Sequence, residues 1–267
     1  MDDYIARYGL EFNPFLKNSR DIIVESSEFH EAQFRLNYLV ETKGFGLCTG
    51  APGLGKTTAV RRFAASLNPS RYKVIYISLS TVTVNDFYRL LTSSLGQDPS
   101  YRKPDNFKLI QTAITTLAVE KRITPVIILD EANHINSAVL NDLKILFNFE
   151  MDSKDRAVIL LVGQPQLNNT LNLNAHEALR QRIVMNYSFE GLSKEEGRIY
   201  IEQKLKGAGC TDKVFDENAE EAILNSAAGI PRIINHLCNE ALLIANSAKH
   251  PVVTAEDAMM AINDSQL

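Results

Sequence analysis

Residues 50–58 read Gly-Ala-Pro-Gly-Leu-Gly-Lys-Thr-Thr and satisfy the pattern Gly-x4-Gly-Lys-Ser/Thr at every required position. This stretch constrains the fold more than any other, because the pattern has a purpose only where a strand ends and a helix begins. Its glycines let the backbone turn tightly and come close to an anion, and the N–H groups that open the helix then converge on that anion. The flanks supply the setting: 45–49 is a short apolar run that reads as a strand, and Val60, Phe63, Ala64 and Leu67 fall at helical spacing over 57–67. The stretch therefore predicts a phosphate-cradling loop made of Gly50, Ala51, Pro52, Gly53, Leu54, Gly55, Lys56, Thr57 and Thr58. Lys56 would reach the outer phosphates and the Thr57 hydroxyl would join a magnesium shell, while Ala51, Pro52 and Leu54 are spacers. The bland alternative is a glycine-rich turn ahead of an ordinary helix.

The remaining composition suits one large domain and one small one. Of 267 residues 45% are hydrophobic and 22% charged, with no low-complexity tract or repeat, so a packed core is expected. A net charge of -4 argues against coating nucleic acid over the whole surface and leaves room for a local basic strip. Cys48, Cys210 and Cys238 are odd in number and far apart, forming neither a Cys-x-x-Cys pair nor a zinc spacing, which suits a reduced, cytoplasmic setting. Asp2 and Asp3 stand where a secretory leader would be basic, and no apolar run approaches the ~20 residues that span a bilayer. Neither export nor a membrane anchor is expected.

Strand and helix signals alternate along most of the chain. After a leader with Tyr4, Tyr8, Phe12 and Phe15, in which Asn13-Pro14 favours a turn, a helical run starts at Ser27 and stops near Gly44. Beyond the loop, 73–79, 125–129 and 158–162 read as strands, separated by helical stretches over 84–95, 106–121 and 137–149. Runs such as Val126-Ile127-Ile128-Leu129 suit strands buried on both sides, hence an α/β fold: a parallel sheet with helices on both faces. Past Glu190 the strand signal vanishes. Three or four helices follow, opened by the capping box Ser193-Lys194-Glu195-Glu196 and closed by another at Thr254-Ala255-Glu256-Asp257. The expected organisation is an arm over 1–26, a P-loop domain over 27–190 and a small all-helical domain over 191–267.

Asp130-Glu131 follows the apolar run at 125–129. Carboxylates at the carboxyl end of a parallel strand face the ligand crevice, where Asp130 can hold magnesium through water and Glu131 can polarise an attacking water. Alone, two acids at a helix N-terminus would read the same way. His134 reads as surface at a helix entry. Gln164 ends the next strand, and its amide can orient the lytic water or sense the γ-phosphate; the alternative is a polar turn residue before Pro165. Arg180 and Arg182 each offer planar positive charge to a transferring phosphoryl in a neighbouring subunit, or else make surface ion pairs. In Gly229-Ile230-Pro231-Arg232 a helix stop meets a helix start, Pro231 suits the first turn, and Arg232 can swing onto the γ-phosphate.

In this order the motifs resemble those of AAA+ ATPases, over 27–262. The resemblance implies that they are Walker A, Walker B, sensor 1, arginine finger and sensor 2, with Pro231 and Arg232 at the nucleotide. It implies ATP and Mg2+ as cofactors, and homo-oligomeric rings or helical filaments with nucleotide at subunit interfaces. Within the superfamily, Gly9-Leu10-Glu11-Phe12-Asn13-Pro14-Phe15, Leu161-Val162-Gly163-Gln164-Pro165-Gln166-Leu167 and Leu179-Arg180-Gln181-Arg182 resemble the ExeA-like branch. Its members either assist type II secretion, with a membrane segment and periplasmic part after the ATPase, or are transposition regulators similar to the B protein of phage Mu and to TniB.

With no apolar span, the second kind is expected: an oligomer that hydrolyses ATP, binds double-stranded DNA largely independently of sequence, selects it as a target and recruits or stimulates a DDE-type transposase. Tyr101, Arg102, Lys103 and Lys108 form the best basic cluster for DNA phosphates, with Lys144, Lys154 and Arg156 weaker candidates and a solvated face the plain alternative for each. No Ser-His-Asp set or acidic triad of transposase type can be argued, so no nuclease or strand-transfer activity is expected. Two other readings stay open. One is a soluble ExeA-like ATPase module in secretion or envelope assembly; the other is a nucleotide-switch scaffold, against which an intact Glu131 speaks.

Overall fold

The computed structural model describes residues 4–78, 82–151 and 153–265. In chain order its elements are α1 (Tyr4–Arg7), α2 (Ser27–Thr42), β1 (Gly44–Gly50), α3 (Lys56–Ser66), β2 (Tyr72–Ser78), α4 (Val84–Ser94), α5 (Lys103–Thr115), β3 (Thr124–Asp130), α6 (Ser137–Leu146), β4 (Val158–Gly163), α7 (Gln166–Leu171), α8 (Glu177–Arg180), β5 (Ile183–Phe189), α9 (Lys194–Gly207), α10 (Glu217–Ala227), α11 (Pro231–Ser247) and α12 (Ala255–Asp264). They form two compact units. One comprises Glu31–Pro52 and Lys56–Phe189; the other comprises the chain up to His30, Gly53–Gly55, and the chain from Glu190 onward.

The first unit is a five-stranded sheet in the order β2-β3-β4-β1-β5, with every pairing parallel. Strands that are not neighbours in sequence lie side by side, which requires the helical crossovers that cover a parallel sheet. Register aligns the carboxyl ends: Ser78 pairs with Asp130, and Thr49 pairs with Gly163 on one side and Ser188 on the other. On one face Ile75, Ile77, Ile127, Leu129, Ile159 and Leu161 bury against Phe87 and Leu91 of α4, Ile110 and Ile114 of α5, and Leu140 and Leu143 of α6. On the other face Val126, Ile128, Leu160 and Val162 are also fully buried. A Cβ on Gly46 would collide there with Leu39 of α2, so a helix lies close against that strand. The doubly covered parallel sheet expected from the apolar runs is the fold found.

Four strands carry the expected signal, although Leu79, read as the last residue of the second, lies outside the described residues. The fifth, β5, was not anticipated. Its burial alternates, with Met185 and Phe189 inward and Val184, Asn186 and Ser188 exposed, as befits an edge strand. Polar residues at alternate positions erase the continuous apolar run that betrays the central strands.

The second unit packs Ile201, Ile223, Ile234, Leu242 and Ala261 from its helices, with Phe215 from the connection before α10, together with Tyr8, Leu10 and Phe15 of the leader. Asn13 makes the expected turn, since its Oδ1 accepts the Phe15 N–H at 2.9 Å while its Nδ2 donates to Asn239 at 2.7 Å. Both expected capping boxes are formed, Ser193 with Glu196 at α9 and Thr254 with Asp257 at α12. Among the described residues no helix is long and apolar enough to cross a membrane.

Candidate nucleotide site

The loop leaves β1 at Gly50 and enters α3 at Lys56. Gly53 and Gly55 have φ of 88° and 93°, values that side-chain-bearing residues avoid. At Gly53 space is short as well: a Cβ would stand 2.8 Å from Cβ of Arg232 and 3.0 Å from Ile230, and the Arg232 N–H donates to the Gly53 carbonyl at 3.3 Å. Lys56 folds back over the loop, its Nζ donating to the carbonyls of Gly50 and Ala51 at 2.8 Å each. The ammonium is therefore seated on the loop that its helix follows, with Thr57 exposed beside it in the first turn. A cradle of this kind, with a cation at its rim and the first turn of a helix behind it, fits the phosphates of a nucleotide.

Asp130 ends β3 on the sheet face opposite Ile127 and Leu129 and is 6% exposed. Its Oδ1 accepts the N–H of Glu131 at 2.9 Å. Its Oδ2 lies 3.5 Å from the Thr57 hydroxyl and accepts the hydroxyl of Tyr76 at 2.7 Å. An oxygen pair made of a hydroxyl and a carboxylate is the donor set that magnesium takes in nucleotide sites, so the residues present fit that ion. Burial, and then Asp130 itself, push the Tyr76 hydroxyl up to about 12, so it stays a donor at neutral pH. Glu131 is exposed and left-handed, with φ 55° and ψ 35°, a conformation that costs a residue with a side chain about 1 kcal/mol or more. That backbone turns the chain out of the strand and leaves the Glu131 carboxylate at the open end of the sheet.

Gln164 follows β4, the strand between β3 and β1, so the sheet order itself sets it between the acids and the loop. Its N–H donates to Asn133 Oδ1 at 3.0 Å, and one turn later Asn168 donates to the buried Thr49 hydroxyl at 2.8 Å. Strand ends β1, β3 and β4 are thus tied together by side-chain amides.

The two arginines differ. Arg182 is 17% exposed at its side chain; it donates to the carbonyls of Lys144 at 2.7 Å and Phe147 at 3.0 Å and pairs with Asp155 at 3.5 Å. Arg180 is exposed and donates to the Asn172 carbonyl at 3.1 Å. The helix that carries Arg180 is preceded by His176, buried, with Nε2 3.1 Å from the Ser137 hydroxyl. Burial, and then repulsion from Lys144, hold that imidazole below its usual range. Pro231 and Arg232 open α11, where Pro needs no N–H partner and Arg232 is exposed.

Of the basic candidates for nucleic acid, Tyr101, Arg102 and Lys108 are exposed, Tyr101 at 85%. Lys103 is instead paired with Asp142 at 2.5 Å above the Tyr88 ring, and Lys154 and Arg156 both pair with Glu150.

The family described as AAA domain matches residues 39–171. General secretion pathway protein A of Aeromonas hydrophila is 33% identical over 266 residues, 97% of this chain and 48% of that protein. The chain belongs to the AAA+ family, in its ExeA-like group. It spans about half the length of that curated relative. Among solved structures, Aeropyrum pernix ORC2 in its ADPNP and ADP complexes is similar with a TM-score of 0.68 at 17% identity, covering 95% of this chain and 71% of that one. Drosophila ORC bound to DNA gives 0.63 at 18%, covering 97% and 71%, and the Thermotoga maritima RuvB branch migration motor 0.60 at 18%, covering 95% and 73%. At such identities these likenesses speak for the AAA+ fold alone.

Sequence reading missed four polar residues of this AAA+ site: Tyr76, Asn133, Thr49 and Asn168. Asn133 stood in view two residues after Glu131, but nothing in sequence says that its side chain turns back to the Gln164 backbone. Tyr76 shares the face of Asp130 only through the register of β2 on β3, in which Ser78 pairs with Asp130.

Proposed function

We propose that this chain is a magnesium-dependent ATPase that acts as an oligomer on double-stranded DNA. The observation that carries the reading is the convergence at the carboxyl ends of β1 and β3 of a seated Lys56, the Thr57–Asp130 oxygen pair and an exposed, strained Glu131. Lys56 and the loop amides hold phosphate oxygens, and Thr57 and Asp130 hold magnesium. Bound there, the ion offsets charge that develops on the phosphates. Glu131 takes the proton of the attacking water, Gln164 orients that water, and Arg232 senses the nucleotide. Arg180 acts in the site of a neighbouring copy, because it is exposed, whereas the Arg182 side chain is mostly buried and pairs with Asp155 as well as two carbonyls.

Tyr101, Arg102 and Lys108 supply the DNA contact, through phosphates, and so largely without regard to sequence. The finer role is that of a transposition regulator that selects target DNA and recruits or stimulates a DDE-type transposase; the leader and the 161–167 and 179–182 strings resemble the ExeA-like branch, which holds such regulators beside secretion ATPases. A second reading, an ATPase module for secretion or envelope assembly, is favoured by the 33% identity to the Aeromonas protein. Electron microscopy with ATP and duplex DNA, beside capture of partners, separates them. Filaments or rings on DNA in wild type, lost in Lys56→Ala together with ATP binding, support the first. No DNA retention, with envelope components captured, supports the second.

A further inference from the structure

We infer that Tyr76 is a positioning residue for the magnesium-binding carboxylate, acting through Asp130 and not on the nucleotide; this rests on the reading of the site as one for ATP and magnesium. Along the end of β2, Ile75 and Ile77 are buried, and Tyr76 and Ser78 face the other way. In register Tyr76 pairs with Ile128 and Ser78 with Asp130, so Tyr76 stands diagonal to Asp130. That diagonal spans about 7–8 Å and is within reach of an aromatic side chain, whereas a serine or threonine hydroxyl falls short. The Tyr76 hydroxyl makes the crossing and donates to Oδ2 at 2.7 Å.

Burial does not force this bond. The Tyr76 side is 51% exposed, so water alone could satisfy its hydroxyl, yet the hydroxyl is on the carboxylate. With the Glu131 N–H on Oδ1 and Tyr76 on Oδ2, each oxygen of Asp130 has one fixed donor, and the carboxylate plane is set from both ends. Each oxygen has two lone pairs, so Oδ2 can hold Tyr76 on one and keep the other, now towards Thr57, for the ion. Partners of this kind orient a metal-binding group, and their loss costs about 10- to 100-fold in metal affinity.

Titration with a fluorescent ATP analogue, in EDTA and across a magnesium series, tests the inference without relying on turnover. Tyr76→Phe is expected to bind the analogue in EDTA as wild type does, and to need about ten-fold more magnesium for half of the metal-dependent tightening. In an Asp130→Asn background the same change is expected to add nothing. Thermal melts establish that folded proteins are being compared. Wild type that fails to bind the analogue counts against the nucleotide reading itself. Wild type that binds without responding to magnesium counts against the magnesium part of that reading, whereas an unchanged magnesium midpoint in Tyr76→Phe, a loss already present in EDTA, or additive losses in the double variant each overturn this inference alone.

Discussion

Polar side chains at element ends do opposite things in the two units. In the helical unit they close on their own chain: Ser193 and Glu196 satisfy each other's backbone at α9, Asp216 accepts the N–H of Ala219 at α10, and Thr254 and Asp257 repeat the box at α12. Each removes an orphan donor of a helix start and contributes to stability. At the strand ends of the sheet unit Asp130, Asn133 and Asn168 are likewise bonded within the chain, but Gln164 and Glu131 are held through their backbones. Gln164 is anchored through its N–H, and Glu131 is exposed on a left-handed backbone. Residues that stabilise are consumed locally; residues that act are presented at some cost to the fold.

Three experiments bear on that contrast. The largest effect is expected at the arginines. Arg180→Ala should lower ATP turnover of the assembled protein about 10³-fold without moving its melting temperature. Arg182→Ala should instead destabilise by about 2–3 kcal/mol in urea unfolding, since it strips two carbonyls and Asp155 of their partner. Matching profiles for the two variants would erase the distinction drawn between them. Next, Glu131→Gln should reduce turnover about 10²-fold in single-turnover assays while calorimetry finds nucleotide affinity preserved and the assembled state persists.

The smallest effect belongs to the caps: Ser193→Ala should cost about 1 kcal/mol of stability with turnover intact. The Ser27 hydroxyl, with Ser193 beside it, holds the Glu196 carboxyl below its ordinary value of 4.5. A depressed carboxyl stabilises the fold fully above 4.5 and loses that contribution as pH falls through its lower folded value. Urea midpoints should therefore drop more steeply on acidification in wild type than in Glu196→Gln; parallel curves would count against this cap.

What could be read from sequence was whatever rests on local chemistry. The loop announced itself because glycine at Gly53 and Gly55 answers a backbone demand, and the caps because each closes within four residues. The central strands announced themselves by unbroken apolar runs. Features that depend on who stands opposite were not legible. Arg180 and Arg182 look alike in sequence and both donate to two carbonyls of their own chain; burial and the pairing with Asp155 set Arg182 apart. Lys103 read as part of a basic cluster until Asp142, far along the chain, proved to hold it. The fifth strand hid behind the alternation that an edge position imposes, and Tyr76 behind a diagonal that no spacing encodes.

The left-handed backbone at Glu131 also bears on engineering. Someone seeking a hardier version of this protein would turn early to position 131, where glycine or asparagine relaxes a conformation that glutamate tolerates poorly. The melting curve would improve and the variant would fall silent, because the strain and the proton acceptor share one residue.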